Sequence, residues 1–332
     1  MAVTRLNMRR SKLKLLSPAK LNLFLNINRR LDNGYHELQS LFHFIDFGDD
    51  MTFEAYSDES QFRTSKEALK QTNLEGWELE DWELAGKAAF NCNLPELETN
   101  SNLVFKAMQA LSRFLKAKFG ENNFNKKLLS LDFIKISLTK RLPMGGGVGG
   151  GSSNAATTLL ALNSLWELGL SLDELREVGL MVGADVPIFI FGQTAIADGV
   201  GEKLTSYPIK EKWYLVLTPN QHVNTAELFS SPHLPRNSPK LPLDEIKYQG
   251  IAPQFKNDFE KLVYNQYPTV AKAMDWLLEY GPARMTGTGA CVYAEFATQD
   301  EANEIYQQLP VDLTGFVAKG CNISPTHQTL FG

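Results

Sequence analysis

The chain has 332 residues, 43% of them hydrophobic, which is more than one core usually holds and predicts two domains. Charged residues make up 21% and the formal net charge is -5, which excludes a broadly basic surface for nucleic acid or an anionic membrane. Three cysteines (Cys92, Cys291 and Cys321) form no CxxC pair, which argues against a disulfide framework or a zinc ribbon and suits a reducing cytoplasm.

Arg5, Arg9, Arg10, Lys12 and Lys14 are followed by no uninterrupted apolar segment, because Lys20, Asn22, Asn26 and Asn28 break residues 15–28. Neither a signal peptide nor a membrane span is expected. Residues 19–28 alternate: Leu21, Leu23, Leu25 and Ile27 share one face, and Lys20, Asn22, Phe24 and Asn26 the other. This predicts a strand covered by core on one side. Asp32-Asn33-Gly34 supplies a turn, and residues 38–47 a second strand that Gly48-Asp49-Asp50 ends. The polar stretch 56–101, with Trp77 and Trp82 among acidic residues, has no assignment beyond a helical surface excursion. Leu103, Ala107, Leu111 and Leu115 have helical spacing over 102–119, and 131–138 reads as a strand running into Lys140-Arg141-Leu142-Pro143.

After a glycine-rich stretch, Ala155, Leu159, Leu162 and Trp166 share a helical face, with Gly169 as the stop. Ser171 and Glu174 form a capping box for a helix ending near Gly183. The apolar run 186–191, opened by Asp185, reads as a buried strand. Pro-rich connections over 232–243 separate a strand at 213–217 from later helices. Residues 270–279 form an amphipathic helix stopped by Gly281-Pro282. The tail reads as a strand (291–296), a helix capped by Thr298 with Glu301, and a strand (315–319). Strands with helices on one face predict an α+β arrangement in both halves.

The most informative stretch is Gly145-Gly146-Gly147-Val148-Gly149-Gly150-Gly151-Ser152-Ser153, placed directly before a helix. Glycine lets backbone approach a ligand closely, and a helix N-terminus adds unpaired N–H donors and partial positive charge. Phosphate can therefore bind without net basic charge. Ser152, Ser153 and Asn154 can cap the helix, donate to phosphate, or help hold Mg²⁺. A flexible linker does not normally sit between a strand and a capped amphipathic helix. The GxGxxG match fails as a dinucleotide fingerprint, because a capped helix from Ser171 stands where a strand ending in an acidic residue is required. The Walker pattern fails for want of Gly-Lys-Ser/Thr.

Asp185, at the head of its apolar run, is a candidate general base if partly desolvated; its position alone favours a capping or turn aspartate. Lys20 could stabilise a transferring phosphoryl group if its face looks into a cleft. Tyr35-His36 offers a stacking ring and a polar edge for a nucleobase, or a structural pair. Thr286-Gly287-Thr288-Gly289 either makes a turn or aims N–H groups at a phosphate.

In this order, these pieces resemble the GHMP kinase superfamily. Its three motifs are similar to Ser17-Pro18-Ala19-Lys20-Leu21-Asn22, residues 143–156 and residues 283–290. The similarity is closer for the branch that acts on cytidine diphosphate methylerythritol: Gly-Tyr-His (34–36), Gly-Ala-Asp-Val-Pro (183–187), Glu-Lys-Trp-Tyr-Leu-Val (211–216), Arg-Met-Thr-Gly-Thr-Gly-Ala-Cys (284–291) and Gly-Phe-Val-Ala-Lys-Gly (315–320) all match. The stretch 56–100 is longer than the family carries there.

The resemblance implies an ATP-binding domain over 1–197, like the second domain of ribosomal protein S5, and a ferredoxin-like domain over 198–332. It implies transfer of the ATP γ-phosphoryl to the 2-hydroxyl of the methylerythritol unit, with Mg²⁺, in the cytoplasm, by a monomer or weak homodimer. Asp185 would take the hydroxyl proton beside Lys20. Pro143, Met144, Gly145, Gly146, Gly147, Val148, Gly149, Gly150, Gly151, Ser152 and Ser153 would cradle ATP phosphates, Ser153 also touching the metal. Asn102, Leu103 and Lys140 match nucleotide-side positions. Asn22, Tyr35, His36, Val200, Thr225, Phe229, Gly287, Thr288 and Gly289 would hold the substrate, Phe229 stacking on cytosine. A mevalonate or homoserine kinase needs no such aromatic cluster, and a non-catalytic nucleotide-binding module needs no Lys20/Asp185 pair.

Overall fold

The computed structural model describes residues 11–62 and 83–332. Trp77 and Trp82 lie outside the described residues. Strands β1 (Lys12–Arg30) and β2 (His36–Tyr56) form a long antiparallel hairpin. Its turn is the expected one: Gly34 has φ +86, and its N–H donates to the Leu31 carbonyl at 2.9 Å. Two expectations change here. Strand β2 does not end at Gly48-Asp49-Asp50 but runs through it, since Gly48 lies where a Cβ would be 2.2 Å from the Ser17 carbonyl oxygen. Strand β1 is covered on both faces, because it passes through three apolar cores in turn. Leu13 and Leu15 belong to the first, Leu21, Leu23 and Phe24 to the second, and Leu25 and Ile27 to the third. Lys20, Asn22 and Asn26 are buried as well, so alternation in polarity did not mark a solvent face.

The remaining strands are β3 (Ala88–Cys92), β4 (Phe133–Thr139), β5 (Ala195–Asp198), β6 (Lys203–Ser206), β7 (Trp213–Leu217), β8 (Ala283–Met285), β9 (Val292–Phe296) and β10 (Gly315–Cys321). They join one sheet in the order β3-β4-β2-β10-β7-β9-β8, with β1 and the β5–β6 hairpin also on β2. The expected division between residues 197 and 198 falls inside β5 and would split that hairpin. Strand β3 is a further departure, placing part of the expected surface excursion in the sheet, parallel to β4.

Helices α1 (Glu83–Gly86), α2 (Leu103–Phe119), α3 (Glu121–Ser130), α4 (Gly150–Leu165), α5 (Leu172–Val182) and α6 (Val186–Phe191) belong to the first half. The second carries α7 (Thr225–Ser230), α8 (Glu260–Gln266), α9 (Pro268–Leu278), α10 (Gln299–Tyr306) and α11 (Pro325–Phe331). The capping boxes of Ser171 with Glu174 and Thr298 with Glu301 form as expected, and the Asn102 side chain caps α2. The apolar run 186–191 is helix α6, not a strand. Pro187 suits a first helical turn, and Gly192 at φ +71 ends the helix. Six apolar residues buried all round carry no period to separate the two forms.

Candidate active site

Strand β1 presents Lys20 and Asn22 at the centre of a cleft between the two glycine-rich segments. The Lys20 N–H donates to the Val148 carbonyl (3.0 Å), and the Asn22 N–H donates to Thr286 Oγ1 (2.9 Å). The two segments also lock to each other. Cβ atoms at Gly147 and Gly287 would stand 2.3 Å from the Thr286 oxygen and 2.7 Å from the Gly147 oxygen, and both glycines have positive φ. Only glycine allows that backbone approach.

The link from α5 to α6 brings Asp185 to the same centre. Its carboxylate makes no capping hydrogen bond to α6, so the capping reading fails. Asp185 Oδ2 lies 3.5 Å from Lys20 Nζ, which is also 2.5 Å from Asn22 Oδ1 and 4.8 Å from the Phe42 ring centroid. The Asp185 side chain is 42% exposed, against the expected desolvation, whereas the lysine is buried. Burial holds the Lys20 ammonium below the usual lysine range, opposed by the charge and hydrogen bond of Asp185.

On one side of Asp185 lies a cavity of about 660 Å³ with Asn102, Leu103, Lys140, Pro143 and Met144 on its walls, together with Gly145, Gly146, Gly147, Gly149, Gly150, Gly151 and Ser152. Gly149, at φ +76, opens α4 without any side-chain cap, so the first N–H groups of the helix remain donors towards this space. Two residues of the expected cradle are absent from its walls. The Val148 side chain is fully buried in core and contributes only its carbonyl, to Lys20. Ser153 is also fully buried, accepting from Ser17 Oγ at 2.8 Å, so the expected contact of its hydroxyl with phosphate or metal is not made; Ser152 is the hydroxyl on the cavity wall.

Under this loop lies a hub that sequence reading treated as a turn. Asp49 Oδ1 accepts from the N–H groups of Arg141 (2.8 Å) and Leu142 (2.9 Å), and its Oδ2 accepts from Asn154 Nδ2 (2.9 Å) and from Lys140 Nζ. It joins the entry of the glycine loop to α4. His222, whose Nδ1 lies 3.0 Å from a Cβ position at Gly145, was missed as well, and no local pattern marks it.

On the other side of Asp185 a cavity of about 710 Å³ is lined by Lys20, Asn22, Tyr35, His36, Val200, Thr225, Phe229, Gly287 and Thr288. Phe229 lies 4.9 Å from the His36 ring and meets Phe259 edge-on, also at 4.9 Å, while Tyr35 is 64% exposed. The readable signal for this side was Asn224, which caps α7 and thereby presents Thr225 and Phe229. Thr225 Oγ1 is 2.9 Å from Thr288 Oγ1. Gly289 lines neither cavity; it shapes the turn, its N–H donating to the Thr286 carbonyl at 3.0 Å. Both cavities share Gly147, Ser152, Asp185, Thr225 and Thr288, so two ligands would meet at Asp185.

The model for the GHMP kinase N-terminal domain matches residues 102–193, and that for the C-terminal domain residues 247–311. A 4-diphosphocytidyl-2-C-methyl-D-erythritol kinase of Haemophilus influenzae is 46% identical over 318 residues, covering 96% of this chain and 88% of its own. That of Shewanella woodyi is 47% identical over 310 residues, covering 93% and 94%. The chain belongs to the 4-diphosphocytidyl-2-C-methyl-D-erythritol kinases, a branch of the GHMP kinases.

A crystal structure of a 4-(cytidine 5'-diphospho)-2C-methyl-D-erythritol kinase superposes with TM-score 0.69 at 25% identity, over 93% of this chain and 99% of that one. The mevalonate kinase of Methanococcus jannaschii, at 17% identity and TM-score 0.58, shares the fold over 95% of this chain and 100% of its own. The two-domain α+β fold expected from the motifs is therefore that of the family. As a kinase of this family the chain takes ATP as phosphoryl donor. Among the described residues no helix is long and apolar enough to cross a membrane.

Proposed function

We propose that this chain transfers the γ-phosphoryl group of ATP to the 2-hydroxyl of 4-diphosphocytidyl-2-C-methyl-D-erythritol, in non-mevalonate isoprenoid precursor synthesis. The observation that carries the reading is the pair of cavities that share Asp185 and Ser152 beside buried Lys20. ATP occupies the side with the uncapped α4 N-terminus, where N–H donors meet phosphate oxygens. The cytidine ester occupies the side with Tyr35, His36 and Phe229.

Asp185 accepts the proton of the attacking hydroxyl, and its partly exposed carboxylate, committed to no helix cap, is suited to do so. Lys20 holds that carboxylate in place and adds positive charge where the phosphoryl group passes. Asn22 Oδ1 accepts from the same ammonium and fixes the lysine as well. The Asp185 carboxylate and the Ser152 hydroxyl also fit Mg²⁺, which is typically held by one or two carboxylates plus substrate phosphates. When bound, that ion would neutralise charge on the phosphates. A coupled ATPase assay comparing the cytidine ester with mevalonate, homoserine and galactose tests the reading: turnover of the cytidine ester alone supports it, and a preference for any of the others overturns it.

A further inference from the structure

Arg236 lies in the connection after α7, in a region where the sequence shows only a Pro-rich linker. Its guanidinium reaches two parts of the substrate cavity at once. Nε donates to Nε2 of His36 at 3.0 Å. Nη2 donates to the carbonyls of Phe229 (2.7 Å) and Ser231 (2.8 Å), and Nη1 to that of Leu234 (3.1 Å). One planar cation thus ties the first residue of β2 to the end of α7, where the two rings of the cavity lie 4.9 Å apart.

Arginine is never an acceptor and is not deprotonated in proteins. The hydrogen bond to His36 Nε2 therefore requires a lone pair on that nitrogen. A neutral imidazole with its lone pair on Nε2 carries its proton on Nδ1. Burial lowers the His36 pKa, and the charges of Arg236 and of Arg30, its partner across the β1–β2 pair, lower it further, in the same sense as the neutral ring that this hydrogen bond requires. Nδ1 has no hydrogen-bond partner among the described residues, and His36 is on the cavity wall.

We infer that Arg236 is a positioning residue that sets the base preference of the site, by fixing His36 as the Nδ1–H tautomer and anchoring Phe229 beside it. The inference rests on the functional reading above, in which this cavity takes a pyrimidine nucleotide. A fixed donor needs an acceptor opposite. The Watson–Crick edge of cytosine offers two neighbouring acceptors, N3 and O2; uracil replaces the first with an N–H. A ring free to exchange tautomers would serve either base, whereas a ring held by arginine favours cytosine.

The test compares wild type with Arg236→Met and Arg236→Lys. The readouts are kcat/KM for the cytidine ester and its uridine analogue, KM for ATP, and the His36 tautomer from long-range ¹H–¹⁵N correlation spectra. We expect a wild-type ring protonated at Nδ1 and a strong cytidine preference. In Arg236→Met that preference should fall by about tenfold or more, the scale of one base-edge contact, with a mixed tautomer and little change in kcat or in KM for ATP. An unchanged cytidine-to-uridine ratio, or equal losses for both esters, would overturn the inference and leave Arg236 a loop anchor. If Arg236→Met does not fold, Arg236→Lys decides, since a lysine cannot reach the ring and the α7 carbonyls together. A wild type that turns over neither ester would refute the functional reading instead; the ring tautomer and the CDP-against-UDP affinity ratio would still decide the role of Arg236.

Discussion

Lys20 Nζ lies 3.5 Å from Asp185 Oδ2, and of the two partners the lysine is the buried one while the aspartate opens to the cleft. The inner charge orients the outer, which leaves the carboxylate accessible to a substrate hydroxyl. Asp185→Asn preserves shape and removes proton acceptance. It should lower kcat by about 10²-fold or more, with the affinity for a non-hydrolysable ATP analogue little changed. Steady-state kinetics and titration calorimetry check both halves, and near-full kcat would remove Asp185 as the base.

Phe229 has one ring neighbour tilted by 33° and one edge-on, and it is only partly buried. Phe229→Ala should raise KM for the cytidine ester at a cost of about 1–3 kcal/mol, the range for one stacked base. KM for ATP should stay within about twofold. Equal rises for both substrates would mark Phe229 as core.

The glycine loop separates two kinds of damage. Gly145 has φ +68, and a Cβ there would meet only the His222 ring, at 3.0 Å. Gly145→Ala should strain the loop and weaken nucleotide binding by about tenfold while Tm holds. Gly149→Val meets the Phe189 ring at 2.8 Å, so it should lose binding and also lower Tm by about 5 °C or more. Ser152→Ala should weaken nucleotide binding, and Ser153→Ala, which breaks a buried contact with Ser17, should act on stability. Calorimetry with scanning fluorimetry distinguishes the four.

Asp49 is buried and accepts four donors from two segments, residues 140–142 and Asn154. Asp49→Asn leaves Lys140 Nζ without its counter-charge and sets an amide donor against donors. The expected loss is about 3 kcal/mol in urea unfolding, with a raised KM for ATP because the loop entry loosens. Loss of stability without a change in KM would confine Asp49 to the fold.

His43 is buried, and burial pushes its pKa down to about 3. The unfolded chain binds a proton near pH 6.5, but folded His43 does not until about pH 3. Stability therefore falls as pH drops from about 6.5 towards 3. Between pH 7 and pH 5 this one group should remove about 2 kcal/mol. His43→Asn should be less stable at pH 7 yet lose less on acidification, since His36 and His327 act in the same direction in both proteins. Urea midpoints at both pH values measure the difference, and parallel losses would exclude His43.

What could be read in advance was local. The turn at Gly34, the capping boxes at Ser171 and Thr298, and the glycine loop before α4 each depend on residues within a few positions of one another. The failures were non-local. Lys20 and Asn22 looked like a solvent face because the segments that bury them, around residues 148 and 286, are far away in the chain. Asp49 looked like a turn residue because its donors are supplied about 90 residues later. Arg236 stands 200 residues from the ring it holds. The apolar run 186–191 failed for a different reason: a segment buried on every side shows no period.

Strand β10 pairs with β7 along Gly315–Lys319 and then with Ile45 and Phe44 of β2 through Gly320 and Cys321. It is thus late in the chain but central in the sheet. Beyond it, Thr326 Oγ1 donates to the Leu16 carbonyl, so α11 clasps β1. During synthesis, β1 to β9 can collapse but cannot close, because the seam between β2 and β7 waits for β10 to leave the ribosome tunnel. Until they emerge, two strand borders stand open to other chains. That places the interval of greatest aggregation risk before β10 is available, and a chain cut near residue 310 should be a far better client for a holding chaperone than one that carries β10.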